Sequence, residues 1–373
     1  METKKINLSF TSKEPILAVG AQSKNTLCFI KGEDACLSPL HPDLSDPGDF
    51  ASFKSDLEFF LKKKPKIIAC DLHQGYQSTD YALRNLSSAY KIITLQHHHS
   101  HIAACMVECG MKNQKVIGIA FDGTGLGDDQ TLWGGEFLIC DYRNYVRVAH
   151  LKEIPLLGGS QAIREPWRLA AAWLYQIYKD RFLELSNGFT RGINKKDWRI
   201  LKKIYSLGFN APLASSMGRL FDAIASLILK KYKADSEGDL AVELERKALC
   251  HNGEVKGFVF SIRKTKRGYI IDPAPVFKGI IDGLKNKEEP QGLALRFHLG
   301  VAQMIKSLAL TLRKETGINR VALSGGVFQN RLLLKESKEL LYKEGFEVLL
   351  HKELSCNDSS ISLGEAAIAS FRR

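Results

Sequence analysis

The stretch LQHHHSHIAA, Leu95 to Ala104, places four histidines within five positions. Imidazole is a common ligand for zinc, iron and other first-row metals. If the segment is helical, His97 and His101 lie one turn apart on one face and can grip a single ion. His98 and His101 offer a second such pairing, so spacing leaves two choices. Cys105 and Cys109 continue the four-residue stripe. Twelve residues of helix nevertheless span ~18 Å, too long for one tetrahedral ion, so further ligands must come from elsewhere in the chain.

Four other stretches carry groups able to do chemistry. FDGTGLGDD, Phe121 to Asp129, has glycines at 123, 125 and 127 that permit close backbone approach to an anion. It is not a dinucleotide fingerprint, because its third glycine is misplaced and a strand follows it. Asp122, at a strand end, could hold a metal-bound water or a hydroxyl. In VALSGGVFQNRLLL, Val321 to Leu334, a strand ends in Ser324-Gly325-Gly326 and a helix begins near Asn330, bringing a ligand toward helix N–H donors. In LSCNDSSISLGEAAIAS, Asp358 has two readings: the N-cap of a helix, or a carboxylate ligand from the second lobe. AIREPWRLAAAW contains Pro166, suited to a first helical turn, and the guanidinium forks Arg164 and Arg168. No Ser-His-Asp arrangement is evident.

The elements that must position these groups form two similar units. Ile16 to Ser38 and Val116 to Cys140 both read as apolar strand, glycine-containing turn and second strand. Helices and further apolar strands follow in each half, which predicts a duplicated α/β architecture with two lobes and buried sheets. The expected division is an N-terminal lobe over 1–115 and a C-terminal lobe over 116–373. Residues from about Ile154 to Gly292 read as a mainly helical insertion with one short β-like interlude. A cleft between lobes is the expected ligand site.

Composition agrees with a globular chain: 45% hydrophobic and 25% charged residues. The formal charge of +12 favours anionic partners, among them nucleotides, while any single basic cluster reads first as solvated lysines on a helix end or loop. Eight cysteines without a Cys-x-x-Cys pair read as reduced thiols. METKKINLSF lacks the apolar stretch of a signal peptide, and no run approaches the ~20 apolar residues of a membrane span. The expectation is a cytoplasmic protein.

VGAQSKNTL, DLHQGYQST, LQHHHSHIA, FDGTGLGDDQTLWGGEFL, LLGGSQAIREPWR, SSMGRLFDAIASL, EGDLAVELE, ALSGGVFQNRLLL and NDSSISLGEA are spread along nearly the whole chain. In that order they resemble the carbamoyltransferase module of the HypF family, the hydrogenase-maturation carbamoyltransferases. The resemblance implies a bilobed, actin-like and ribonuclease-H-like fold. It implies a divalent metal, iron or zinc, held by His97, His101 and Asp358. An adenylate would lie against Gly123, Thr124, Gly125, Gly325, Gly326 and Asn330, with Asp222 and Glu237 at the ribose. His98 and His99 are both candidate catalytic residues, one of them expected to face the carbamoyl group or phosphate without the sequence choosing which, and Asp122 and Arg164 are the further catalytic candidates.

The implied reaction is carbamoyl transfer from carbamoyl-adenylate to the C-terminal cysteine thiol of a maturation partner. The alternatives are an O-carbamoyltransferase acting on a small-molecule hydroxyl and a catalytically diverged nucleotide-binding scaffold. A threonylcarbamoyl transferase acting on tRNA fits less well, because HHHSH does not resemble that branch; nucleic acid is not the expected partner, nor is a membrane. The family's upstream adenylate-forming segments find no match here, so a separate protein is expected to supply the carbamoyl-adenylate. Ser359 and Ser360 stand where the family usually has two glycines, Gln130 where it usually has one, and Ser160 where it commonly has aspartate.

Overall fold

The computed structural model describes residues 3–185 and 188–372. Its first half is built from β1 (Lys4–Ala18), β2 (Ser23–Asn25), β3 (Cys28–Leu37), β4 (His41–Asp43), α1 (Pro47–Leu61), β5 (Ile67–Asp71), α2 (Gln77–Tyr81), β6 (Lys91–Leu95) and α3 (His97–Glu108). A four-stranded sheet runs in the order β3-β1-β5-β6, with β1 antiparallel to β3 and the remaining pairs parallel. The run IIACD is buried on both faces, as a parallel strand covered by helices requires.

The second half opens with the meander β7 (Val116–Leu126), β8 (Leu132–Cys140) and β9 (Tyr145–Leu151). There follow β10 (Ile154–Pro155), α4 (Gln161–Arg164), α5 (Trp167–Tyr178), α6 (Gly188–Arg191), α7 (Lys195–Leu207), β11 (Leu213–Ala214), α8 (Met217–Leu229) and α9 (Asp239–Leu249). The chain continues through β12 (Ser261–Thr265), β13 (Gly268–Asp272), α10 (Ala274–Lys285), α11 (Pro290–Thr316), β14 (Arg320–Ser324), α12 (Arg331–Lys343), β15 (Glu347–Leu349) and α13 (Ile361–Phe371). The second sheet has the path β12-β13-β9-β8-β7-β14-β15.

Within it, β8-β7-β14-β15 repeats the layout of β3-β1-β5-β6: one antiparallel hairpin, then parallel strands. The duplicated hairpin-led unit expected from the sequence is therefore present, in an actin-like α/β fold. The interlude in the helical stretch is not separate from this sheet. β12 and β13 extend it, with β13 parallel to β9. Helices α5, α8, α10 and α11 pack with it in the larger of the cores.

Two helices form the layer between the sheets. Every residue of α3 from His97 to Val107 is buried, and α13 is buried from Ile361 to Ala369. Their apolar side chains share one core with β1, β3, β7 and β14. The last helix thus packs against the first sheet, although it follows the second in sequence. Close approach of α13 to α3 rests on Gly364, where an added Cβ would run into the Ser100 carbonyl and meet the Ala104 amide at 3.0 Å. Both obstacles are backbone and cannot swing aside. Gly364→Ala is expected to destabilise the fold by ~1–3 kcal/mol, the usual cost of overpacking. Chemical denaturation would register it as a lowered midpoint with unchanged slope.

Candidate metal and nucleotide site

The polar groups converge where the parallel strands end. β5 terminates in Asp71, β6 hands the chain to Gln96 and the histidine helix, Asp122 lies on β7, and β14 ends at Ser324 before Gly325. Ligands in α/β sheets gather at such carboxyl edges. Gln96 caps α3 by accepting the His99 amide, which fixes the helix start and the direction of each ring.

At ~100° per residue, the four rings leave the helix in different directions. His97 and His101 point into one cluster with Asp122 and Asp358, whose ligand atoms all lie within 4.8 Å of one another. His97 Nε2 stands 3.2 Å from Asp122 Oδ2 and 3.8 Å from Asp358 Oδ1. His101 Nε2 stands 3.4 Å and 3.5 Å from the same two atoms. Neither nitrogen of His101 has a hydrogen-bond partner although the ring is fully buried. A buried acceptor left unpaired costs free energy that a ligand would recover. Two imidazoles and two carboxylates make a donor set suited to a divalent transition metal. These residues fit the ion that the sequence implied, with Asp122 as a fourth donor rather than a bystander.

The spacing had left His97/His101 and His98/His101 open. The structure brings His97 and His101 to the carboxylates. Asp358 is free for this because Asn357, not Asp358, caps the turn that follows, accepting the Ser359 amide at 3.1 Å.

His98 turns toward Gly125 and Trp133. Gln96 must donate to it: Gln96 Oε1 is occupied by the His99 amide, so the side-chain nitrogen faces His98 Nδ1 at 3.0 Å. The proton of neutral His98 therefore sits on Nε2, a buried donor with no partner. Burial first, then the neighbouring His97 ring, push its pKa well below the usual value. His99 leaves on the opposite side. Its Nε2 bonds the Asp141 carbonyl at 2.7 Å and its ring packs on Tyr145, so the structure does not bring it to the cluster. Arg164 is also elsewhere: its side chain is exposed and lines neither cavity described below, because α4 ends there and turns it outward. Arg168 clamps Glu165 and the Leu157 carbonyl.

Asp71 is a residue the motif reading passed over. Fully buried, it accepts from His97 Nδ1 at 2.7 Å, which leaves Nε2 turned to the cluster. A carboxylate behind a ligating imidazole sets its tautomer and orientation. Burial opposes charge on His97, but Asp71 above all, then Asp122 and Asp358, raise its pKa. Burial likewise works against Asp122, yet the His101 and His97 rings hold it well below the carboxylate range. Behind Asp71, Glu365 is pushed well above that range by burial and by Asp71 itself, while its Oε2 accepts the Gly20 amide at 2.9 Å. The signal in the sequence for Asp71 was an acid closing an apolar strand.

Asp122 and Asp358 of the cluster lie on the wall of a cavity of about 370 Å³ that residues from both halves of the chain line. Gly123, Thr124, Asp222, Glu237, Gly326 and Asn330 all line it. Gly325 does not, but its φ of 102° and its contact with the Phe121 backbone set the turn that sends the Gly326 amide onto Asp122 Oδ1 at 3.0 Å. Gly125 lies instead against His97 and His98 and lines a smaller cavity of about 200 Å³. Tyr76 and Thr124 border both cavities. Asn330 caps α12 and donates to His298 at 2.9 Å. A Ser–His–acid relay unseen in the sequence does form from Ser324, His351 and Glu108. Ser324 is fully buried and borders neither cavity. The relay's role is to pin the loop before Asp358: Glu108 Oε1 also accepts the amides of Lys352, Glu353 and Leu354.

Residues 118–365 match the family described as "Carbamoyltransferase, Kae1-like Domain, second subdomain", and residues 11–108 match the "HypF Kae1-like domain". A carbamoyltransferase HypF from Synechocystis is 34% identical over 96% of the chain, which covers 48% of that relative. A HypF homologue from Cupriavidus necator is 33% identical over 95% of the chain, and here the chain covers 91% of the relative. A solved full-length HypF in a phosphate- and nucleotide-bound form superposes with a TM-score of 0.92 at 38% identity, covering 98% of the chain and 47% of that protein. The chain thus spans about half the length of several relatives and nearly all of another.

The geometry separates the histidines experimentally. After reconstitution with zinc or ferrous iron and dialysis, His101→Ala is expected to lose bound metal and His99→Ala to retain it while melting at a lower temperature. Asp71→Asn is expected to weaken the metal by ~10–100-fold. Metal analysis alongside thermal melts reads all three, and unchanged metal in His101→Ala would refute the assignment.

Proposed function

The chain belongs to the HypF carbamoyltransferase family, and from that premise we propose that it transfers a carbamoyl group from carbamoyl-adenylate to the C-terminal cysteine thiol of a hydrogenase-maturation partner. A separate protein would supply the adenylate. The observation that carries this reading is the juxtaposition of the two-histidine, two-aspartate cluster with the glycine-lined cavity through Asp122 and Asp358, which belong to both. A relative of nearly the same extent as this chain, and relatives named carbamoyltransferase at about one-third identity, support it.

In the proposed reaction a sulfur–carbon bond forms, the carbon–oxygen bond to the adenylate phosphate breaks, and AMP and the thiol proton are released. A divalent ion held by His97, His101, Asp122 and Asp358 would supply Lewis-acid polarisation of the carbamoyl carbonyl. The residues of the chain prepare that chemistry. Asp71 orients His97, and the Gly326 amide holds Asp122 in place. His98 is wholly buried and lines neither cavity, but its unpaired, neutral N–H lies beside Gly125 of the smaller one, and in this reading it would donate to an oxygen of the carbamoyl group rather than abstract a proton. Gly123, Thr124 and Asp222 line the larger cavity, and in this reading the first two would face the adenylate's phosphate and Asp222 its ribose hydroxyls. Thr124 and Tyr76 stand between the two cavities, so the smaller one is the natural approach for the acceptor's extended tail.

Mixing the metal-loaded chain with carbamoyl-adenylate and the cysteine-tailed partner, then weighing the partner, tests this directly. A mass gain of one carbamoyl group is expected, absent when the terminal cysteine is replaced. His98→Ala is expected to slow transfer by roughly two orders of magnitude while leaving bound metal unchanged. No gain with metal and nucleotide both bound would refute the thiol-transfer reading, and a gain on a small-molecule hydroxyl would replace it.

A further inference from the structure

One cation in the larger cavity is not accounted for by carbamoyl chemistry. Arg219, in the first turn of α8, extends its guanidinium to the cavity wall with only 3% of the side chain exposed. Nη2 donates to Glu237 Oε1 at 2.7 Å, and Nη1 stands 3.2 Å from Asp222 Oδ2. Nε and Nη1 make no hydrogen bond, and neither does Asp222 Oδ2. An arginine carries five N–H donors in a planar fork, so a buried one making a single hydrogen bond has several left for a ligand. The fork also lies against the glycine turn: a Cβ on Gly123 would meet Arg219 Nη2 at 3.0 Å and Glu237 Oε1 at 2.9 Å.

The two acids beside it differ. Asp222 is buried, 4% exposed, and fixed on the same helix three residues on. Glu237 is 62% exposed and reaches in from the loop before α9. Among the described residues five carboxylates line this cavity, Asp122, Asp222, Glu237, Glu245 and Asp358, against Arg219 and Lys24. An anion entering such a space needs a cation that is well fixed and an acid that can leave. Arg219 is the first and Glu237 the second.

We propose that Arg219 is the phosphate-binding residue of the adenylate site, and that Glu237 holds its guanidinium in place until the incoming phosphate displaces that carboxylate. The proposal rests on the nucleotide reading above and departs from the expectation that Glu237 binds ribose. Asp222 stays paired and keeps the fork aimed. The planar guanidinium can then meet two phosphate oxygens at once, a match that lysine cannot reproduce. When the carbon–oxygen bond of the adenylate breaks, its electron pair goes to the phosphate. The fixed charge of Arg219 stands beside the oxygen that receives it.

Titration calorimetry of the full chain with AMP and with adenosine isolates the phosphate. Wild type is expected to bind AMP more tightly than adenosine. Arg219→Gln should lose at least tenfold on AMP with adenosine unchanged, and Arg219→Lys should recover part of that loss. Glu237→Gln, a substitution at an exposed position, should tighten AMP several-fold and leave adenosine alone. An Arg219→Gln chain that keeps the AMP-to-adenosine ratio, or that weakens both ligands equally, overturns the assignment. Glu237→Gln weakening both ligands would return Glu237 to the ribose and overturn the displacement. A wild-type chain that binds neither ligand overturns the nucleotide reading and this proposal together, whereas wild-type preference for AMP with an indifferent Arg219 overturns this proposal alone.

Discussion

Burying imidazole rings at the start of a helix that lies between two sheets is the constraint on which the site depends. α3 is enclosed along almost its whole length, so rings at its first turns cannot be solvated and must find partners inside the protein. The partners come from different parts of the chain. Asp71 closes a strand of the first sheet, Asp122 lies on a strand of the second, and Asp358 arrives on the loop before the last helix. One short helix therefore ties both lobes and the C-terminal segment to one point. Its other end repeats the device, where Glu108 grips the loop that leads to Asp358.

The same crowding explains why glycine recurs around the cluster. Gly125 faces the rings of His97 and His98, Gly218 brings the start of α8 against Asp122 and Gly123, and Gly364 lets α13 touch α3. A side chain at any of these positions would hold apart elements that must meet for the site to exist. The cost of such packing is tolerance: the positions that create the cavity cannot readily vary.

Ser160, Ser359, Ser360 and Gln130, where the sequence departs from the motifs it resembles, are accommodated in different ways. Ser359 and Ser360 bond to Asn357 through their own hydroxyls, and Ser359 also supplies its carbonyl to Thr26. They stiffen the approach to Asp358 rather than blocking it. Gln130 keeps the left-handed backbone that favours glycine, with φ of 63°, in the β7–β8 turn. Ser160 borders the smaller cavity, so of these positions it is the one placed to affect what enters there.

What the sequence determined by itself was local or repetitive. Helical periodicity put His97 and His101 on one face, glycine placement marked the two turns, and the repeated strand–turn–strand layout announced a duplicated α/β fold. These features depend on the geometry of single elements, which residue order encodes directly. Tertiary structure decided the rest. His98 and His99, adjacent and chemically identical, were separated only by what each ring meets after its helix is docked. Asp71 became the partner of His97 because β5 and β6 are neighbours in the sheet. Asp122 came to stand with His97, His101 and Asp358, and Arg219 met Glu237, across intervals in the chain that no spacing rule connects. Such contacts follow from strand order and helix packing, and those are properties of the whole fold rather than of any segment of it.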